Sequence, residues 1–322
     1  MIHDLSVVVT SYNCEPYLSD ALTSVEKQAV VPGEVVVVHD GVAPERVHET
    51  VQEYNVRTSS RVSLVEEQAG GAGAARNIGL NHTSGAQVTF LDGDDQFHPR
   101  KLERQVRLLK RLPSSYAFVA GGIHYYDQDR NREWNIRPRP ARGRMYHRLV
   151  RDDLNVHGNP GSKLYRRSAL EEIGGYWEGK HGEDLDLLLH LASRFHLALH
   201  EEIVLQKQVR DDSFFVVSPD KFLEQGLRVI RSLEERDASV PRQLIDRRKQ
   251  KLVFATGKRY LEENGSLKQF ARCMLKGFSI AGWPATFNGW LALFASIPWI
   301  LYEELRSSAS ASDARSLFST DT

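Results

Sequence analysis

Cysteine is nearly absent: Cys14 and Cys273 are the only two in 322 residues, far apart and without metal-ligand spacing. That excludes a disulfide-stapled scaffold and a cysteine-based zinc site, and points to a reducing compartment. Net charge is absent as well. Forty-two basic side chains balance 42 acidic ones, so the whole-chain charge names no partner. The start, Met1-Ile2-His3-Asp4, has neither a basic region nor a cleavable apolar stretch. No secretory signal is therefore expected, and the cytoplasm, or the cytoplasmic face of a membrane, is the expected location. No internal repeat is visible. With 41% hydrophobic and 26% charged residues, the chain can bury a sizeable core, which rules out collagen-like and wholly disordered proteins.

The charges that cancel overall are segregated along the chain. Residues 1–95 carry 14 acids against 5 bases, whereas residues 96–151 carry 14 bases against 4 acids. Such a division suggests separate surfaces for a cation and for something anionic. Six arginines fall between Arg137 and Arg151 with no acid among them. No recognised reading module accompanies them, so nucleic acid is not the expected partner. A solvated loop, a contact with anionic headgroups and a site for a phosphate-bearing acceptor stay open.

Hydrophobic periodicity predicts alternating strands and helices over the first hundred residues. Leu5–Thr10 and Glu34–His39 are β-branched runs that suit a parallel sheet covered on both faces. Val62–Val65 and Val88–Leu91 repeat the pattern. Helices are expected between them, at Leu18–Val25, over 44–55 and at Gly73–His82. Repeated β-α-β units build an open α/β sheet with a mostly parallel core flanked by helices, and ligands bind beyond the carboxyl ends of its strands. Further on, the pattern predicts a basic amphipathic helix at Pro99–Leu112, strands at Tyr116–Gly121 and Ser162–Tyr165, and helices at Ser168–Ile173 and Asp184–Phe195. Residues 129–151 read as a loop, and His196 and His200, four apart, as a pair sharing a helix face without a metal.

Past about residue 220 the chain reads as a helical extension. Gly277–Tyr302 carries no charge in 26 residues and includes Trp283, Trp290 and Trp299. Its length would suit a span, yet Gly282, Pro284, Asn288, Gly289 and Pro298 interrupt it. Contact with a membrane surface, a packed hairpin and a true span are the three readings, with surface contact preferred. The serine-rich tail from Ser307 is expected to be disordered. The expected division is a catalytic domain over 1–215, an extension over 216–306 and a tail over 307–322.

The strongest chemical signal is Phe90-Leu91-Asp92-Gly93-Asp94-Asp95, three carboxylates within four residues at a strand end. Like charges so close call for a cation, and hard divalent ions such as Mn²⁺ or Mg²⁺ take oxygen ligands while keeping positions for a diphosphate. Around it stand Val9-Thr10-Ser11-Tyr12-Asn13, His39-Asp40-Gly41, Gly70-Gly71-Ala72-Gly73-Ala74-Ala75-Arg76-Asn77 and Gly182-Glu183-Asp184. Taken with Asn159-Pro160-Gly161-Ser162 and Ile173-Gly174-Gly175-Tyr176, this series resembles the family-2 glycosyltransferases, enzymes of the GT-A fold, over residues 4–215. A dinucleotide reading of Gly71-X-Gly73 fails because Arg76 stands where the third glycine belongs.

The resemblance implies a role for each matching position. Thr10 and Tyr12 line a nucleobase pocket, and Asp40 accepts a hydrogen bond from the base. Gly71 and Gly73 allow close approach of the loop, and Arg76 contacts the nucleotide. Asp92 and Asp94 hold ribose and metal-diphosphate, and Asp95 supports the sugar side. Asp184 is the catalytic base, oriented by Glu183. Arg210 belongs to a late loop that resembles the family's near the diphosphate. Read from the residues themselves, Trp177 and Tyr176, before the Glu-Asp pair, either stack on an acceptor sugar or pack in the core, and His181 either touches acceptor or diphosphate or is structural. The implied reaction is inverting, metal-dependent transfer of one sugar from a nucleotide donor, UDP-linked by preference, to a hydroxyl of a saccharide or lipid-linked saccharide in surface polysaccharide or glycolipid synthesis. A non-catalytic nucleotide-sugar-binding scaffold is the alternative. One departure is His39-Asp40-Gly41-Val42, where the family shows Asp-Asp-Gly-Ser, which loosens the preference for uridine.

Overall fold

The β-branched run after Leu5 forms the central strand, β1 (Ile2–Ser11), followed by α1 (Glu15–Glu26), β2 (Pro32–Asp40), α2 (Glu45–Arg57), β3 (Arg61–Glu67), α3 (Ala72–Asn81) and β4 (Gln87–Asp92). Parallel partners flank β1 on both sides, with Val7 opposite Val35 and Val8 opposite Phe90. Helices cover both faces, and that is why Val7, Val8, Val9, Val35 and Val37 are all fully buried instead of alternating. Each fully buried valine contributes about 1.5–3 kcal/mol. Helix α3 lies close against this layer because position 79 is glycine: an added Cβ would collide with Val8.

The computed structural model describes residues 2–156, 158–178, 182–209, 218–236 and 240–264, with Gln269, Phe270 and Cys273. The chain divides into two compact units, Met1–Leu244 and Ile245–Thr322. Within the first unit the chain continues through a two-residue β5 (Gln96–Phe97), α4 (Lys101–Arg111), β6 (Tyr116–Asp127), β7 (Arg132–Ile136), β8 (Ala141–Gly143), α5 (Tyr146–Val150), β9 (Lys163–Arg166), α6 (Arg167–Glu172), α7 (Glu183–Arg194), β10 (His196–Val209) and α8 (Pro219–Arg236). Helix α9 (Arg242–Asn264) belongs almost wholly to the second unit and buries Ile245, Val253 and Thr256. The charge-free run 277–302 and the tail from Ser307 lie outside the described residues. No described helix is long and apolar enough to cross a membrane.

The strand order is β3-β2-β1-β4-β9-β6-β10-β5, with β7 paired to β6 and β8 to β10. The long pairings β1–β2, β2–β3, β1–β4 and β6–β10 are parallel; the short β9 runs antiparallel between β4 and β6. This is a mostly parallel α/β sheet whose parallel strands present their carboxyl ends on one rim.

Two expectations need correction. Residues 129–151 are not a plain loop, because β7, β8 and α5 lie within them. The β7 residues Arg132 to Asn135 are exposed and pair only with β6, so the strand shows no buried face to betray it. His196 and His200 sit on strand β10 instead of a helix. The pairing register of β10 shifts between Leu199 and Ile203, which breaks the alternation that marks a strand.

A buried carboxylate ties the start of the sheet together. Glu34 is 3% exposed and accepts hydrogen bonds from Ser6 Oγ (2.6 Å), Ser84 N (2.6 Å) and Gly85 N (3.0 Å), and it pairs with Arg61. Burial alone would raise its pKa, but these donors outweigh it and pull the pKa down to about 2.

Candidate functional site

The acidic turn closes β4 directly beside the end of β1. Gly93 N donates to Thr10 O (2.8 Å), and Thr10 Oγ1 donates to Asp92 Oδ1 (3.3 Å). One strand further out, Asp40 Oδ1 accepts from the backbone N–H of Ala69 (2.8 Å) and Gly70 (3.2 Å). It thereby fixes the loop that opens α3, where Gly70 turns with φ of +74°. Tyr12 stands at the same rim, 65% exposed. A Cβ at Gly71 would meet no protein atom within 4 Å, whereas one at Gly73 would lie 2.7 Å from Trp177 O and 3.2 Å from Glu183 Cγ. Gly73 is therefore required by the chain that brings in α7.

Arg76 lies inside the site, 3% exposed, and joins three segments that are distant in sequence. Its guanidinium meets Asp92 Oδ1 at 2.8 Å, Asp184 Oδ1 at 2.9 Å and Glu183 Oε1 at 3.3 Å, and it lies 5.3 Å from the Tyr176 ring centroid. Burial works against its charge, yet Asp184 and Asp92 hold its pKa well above the ordinary value. Glu183 and Asp184 open α7, where the helix dipole favours carboxylates. Asp186, in the same turn, accepts from Ser232 of α8 (3.1 Å).

A second cation completes the turn. Lys207 of β10 places Nζ 3.0 Å from Asp95 Oδ2 and 3.7 Å from Asp92 Oδ2. Asp95 is 1% exposed and also accepts from Gln208 N (3.3 Å) and Asn159 Nδ2 (3.5 Å). Lys163 of β9, equally buried, donates to the carbonyls of Gly158 (2.6 Å) and Asn159 (2.7 Å), and Gly158 itself packs against Asp184.

These environments push the carboxylates apart. Burial would raise Asp92, but Arg76 and Lys207 bring its pKa down to about 2. Burial dominates at Asp184, and with Glu183 and Asp92 nearby its pKa is pushed up to about 7 despite Arg76. Burial likewise lifts Asp95 to about 7 and drops Lys163 to about 7. A carboxylate that stays ionised thus faces one that exchanges its proton near neutrality, an arrangement suited to acid–base work.

The structure brings together Thr10, Asp40, Gly73, Arg76, Asp92, Asp95, Glu183 and Asp184, with Asp94 half-buried on the turn. Arg76 touches carboxylates where the resemblance implied a nucleotide. Trp177 is 41% exposed and stacks 5.7 Å from the Arg228 guanidinium of α8. Tyr176, in contrast, is buried edge-on against Phe90 (5.3 Å) and packs in the core. His181 and Arg210 lie outside the described residues. Sequence reasoning missed Lys207 and Lys163. Lys207 had a signal, since it shares a strand face with the buried Leu205 and Val209.

The model of the family described as "Glycosyl transferase family 2" matches residues 6–174. The chain belongs to this family. Its glycosyltransferase relatives include GlyA of Streptococcus pneumoniae serotype 4, 28% identical over 235 residues, which is 68% of this chain and 32% of GlyA. The putative glycosyltransferase EpsE of Bacillus subtilis is 28% identical over 65% of this chain and 73% of its own length. An uncharacterized glycosyltransferase of Rickettsia bellii is matched over only 21% of its length, so this chain spans a fraction of several longer relatives. Among solved structures, S. aureus TarS 1–349 in complex with UDP-GlcNAc superposes with a TM-score of 0.60 at 20% identity, covering 87% of this chain and 82% of TarS 1–349. The mannosyltransferase PcManGT from Pyrobaculum calidifontis, in complex with GDP-Man and Mn²⁺, gives 0.55 at 17% identity over 95% and 88%. At those identities the likeness is one of fold. As a family-2 glycosyltransferase, the chain carries the acid cluster, Arg76 and the α7 carboxylates on the rim where GT-A strands end.

Proposed function

We propose that this family-2 glycosyltransferase moves a single sugar from a nucleotide-diphosphate donor, UDP-linked by preference, to an acceptor hydroxyl with inversion at the anomeric carbon. The observation that carries the reading is Asp184, joined through one guanidinium to the donor-side Asp92 and pushed up to about 7. In this reading Asp184 accepts the proton of the acceptor hydroxyl as the new bond to the sugar forms, while Glu183 shares Arg76 and holds the start of α7 in place. Arg76 keeps Asp92 ionised and sets the distance between donor turn and base. Asp40, Thr10 and Tyr12 form the nucleobase end, with Gly71 leaving room for the nucleotide. Asp95, held by Lys207, supports the sugar side, and Arg210 and His181 are assigned to diphosphate and acceptor. Trp177 offers an exposed ring on which an acceptor sugar can stack.

Asp94, with Asp92 beside it, would hold Mn²⁺ or Mg²⁺. Both would offer carboxylate oxygens, the donors hard divalent ions take, from a turn at the end of β4. Mg²⁺ is commonly bound by one or two carboxylates together with substrate phosphates. When bound, the ion would stabilise charge on the departing diphosphate.

The catalytic domain is assigned to 1–215 and an extension to 216–306, whose run 277–302 would associate peripherally with the cytoplasmic face of a membrane. A saccharide or lipid-linked acceptor of surface polysaccharide or glycolipid synthesis suits that location. The test is Asp184→Asn. Transfer should fall by about 10²- to 10⁴-fold while UDP affinity by calorimetric titration stays within about twofold. Unchanged turnover would remove Asp184 as the base. UDP binding with no transfer by the native chain to any acceptor would favour a nucleotide-sugar-binding scaffold.

A further inference from the structure

Arg100, the residue capping the start of α4, and the outward arginines of the helix fall in one row. Arg100, Arg104, Arg107 and Arg111 follow at spacings of four, three and four residues. They therefore stand above one another on a single helix side, over about 16 Å from first to last. The other side, with Leu102, Val106 and Leu109, is buried in the core. Together with Leu108, Glu103 and Glu202 of β10, the four arginines line a groove of about 400 Å³.

Charge in this groove is unbalanced. Glu103 pairs with Arg100 (2.9 Å) and Arg107 (3.2 Å), and Glu202 pairs with Arg104 (3.1 Å). Four guanidiniums thus line the groove against two carboxylates, and Lys110 of the same helix is exposed. The second basic stretch of the sequence reaches the same strand, where Arg137 donates to the backbone oxygen of Glu201 (2.9 Å). Tertiary structure thus gathers two separate basic segments around Glu201 and Glu202. Ion pairs engage Arg100, Arg104 and Arg107 along the groove, and a net-positive row of guanidiniums complements a layer of phosphates.

We propose that the α4–β10 arginine groove docks the first unit onto an anionic membrane surface through lipid phosphate headgroups. The choice of a membrane follows from charge complementarity and from the charge-free, tryptophan-bearing run 277–302 of the same chain. This deepens the membrane association proposed above and rests on it. Glu202 and Lys207 are five residues apart on β10, roughly 16 Å along the strand.

The test is sedimentation of the full chain with vesicles of phosphatidylcholine alone or with 30–40% phosphatidylglycerol (roughly the anionic content that makes a bilayer strongly negative). Tighter, salt-sensitive binding to the anionic vesicles is expected. The triple variant Arg104→Gln, Arg107→Gln, Arg111→Gln should lose on the order of tenfold to a hundredfold of that partitioning, with UDP binding unchanged. Glu103→Gln with Glu202→Gln should tighten it. Equal binding to both vesicle types, or undiminished binding by the triple variant, overturns the groove while leaving the apolar run in place. Absence of binding to any vesicle overturns the groove and the membrane reading together, and neither result touches the donor site.

Discussion

Replacing Arg76 by methionine keeps roughly the length of the side chain and removes the cation shared by Asp92, Glu183 and Asp184. Breaking a buried ion pair costs about 3–5 kcal/mol, because the partner is left charged in a poorly solvated place. Asp92 would keep Lys207 at 3.7 Å, and Asp184 can take up a proton, so the loss should sit within that range and not multiply it. For a unit of this size it corresponds to a melting-temperature drop of roughly 6–20 °C. The pH dependence identifies the cause. Asp184 has a folded pKa of about 7, above its ordinary 3.8, so its contribution is full below about pH 4 and declines as pH rises to about 7. Arg76 lowers that pKa, and without it the decline should continue past pH 7. The gap between variant and native chain should then widen by up to about 1.4 kcal/mol per pH unit above neutrality. Denaturant melts at pH 6 and 8.5 measure this directly. A variant within 1 °C of the native chain, or a gap that narrows as pH rises, would refute the assignment of Arg76 as the internal cation.

Transfer activity of the native chain should rise about tenfold per pH unit up to an apparent pKa near 7 and then level, since the base works deprotonated; initial rates between pH 5 and 8.5 test it. Glu34→Gln should destabilise by roughly 3 kcal/mol at neutral pH, the value of a pKa held at about 2 against an ordinary 4.5, and the native chain should lose that stability as pH falls from 4.5 towards 2. Chemical denaturation across that range checks both. Gly73→Ala puts a Cβ 2.7 Å from Trp177 O, so α3 and the Trp177 segment must separate; transfer should fall at least tenfold while the first unit stays folded by circular dichroism.

The α/β class, the early strands and the rim that carries the site were legible in the sequence for one reason. Strands buried on both faces need unbroken valine runs, and such runs end abruptly at polar residues such as Thr10, Asp40 and Asp92. The spacing of Asp92, Asp94 and Asp95 is local, so it can be read without a fold. Edge strand β7 and the irregular β10 could not be read, because exposed pairing and a shifted register leave no periodic mark. Position in sequence also says nothing about which charges meet. Arg76 is 16 residues from Asp92 and 108 from Asp184, and Lys207 is 112 from Asp95, yet each pair lies within 3 Å. Local chemistry determined which residue types stand at the strand ends. Only the packing of β10 and α7 at that rim decided that Asp92 is held low while Asp95 and Asp184 are pushed up to about 7.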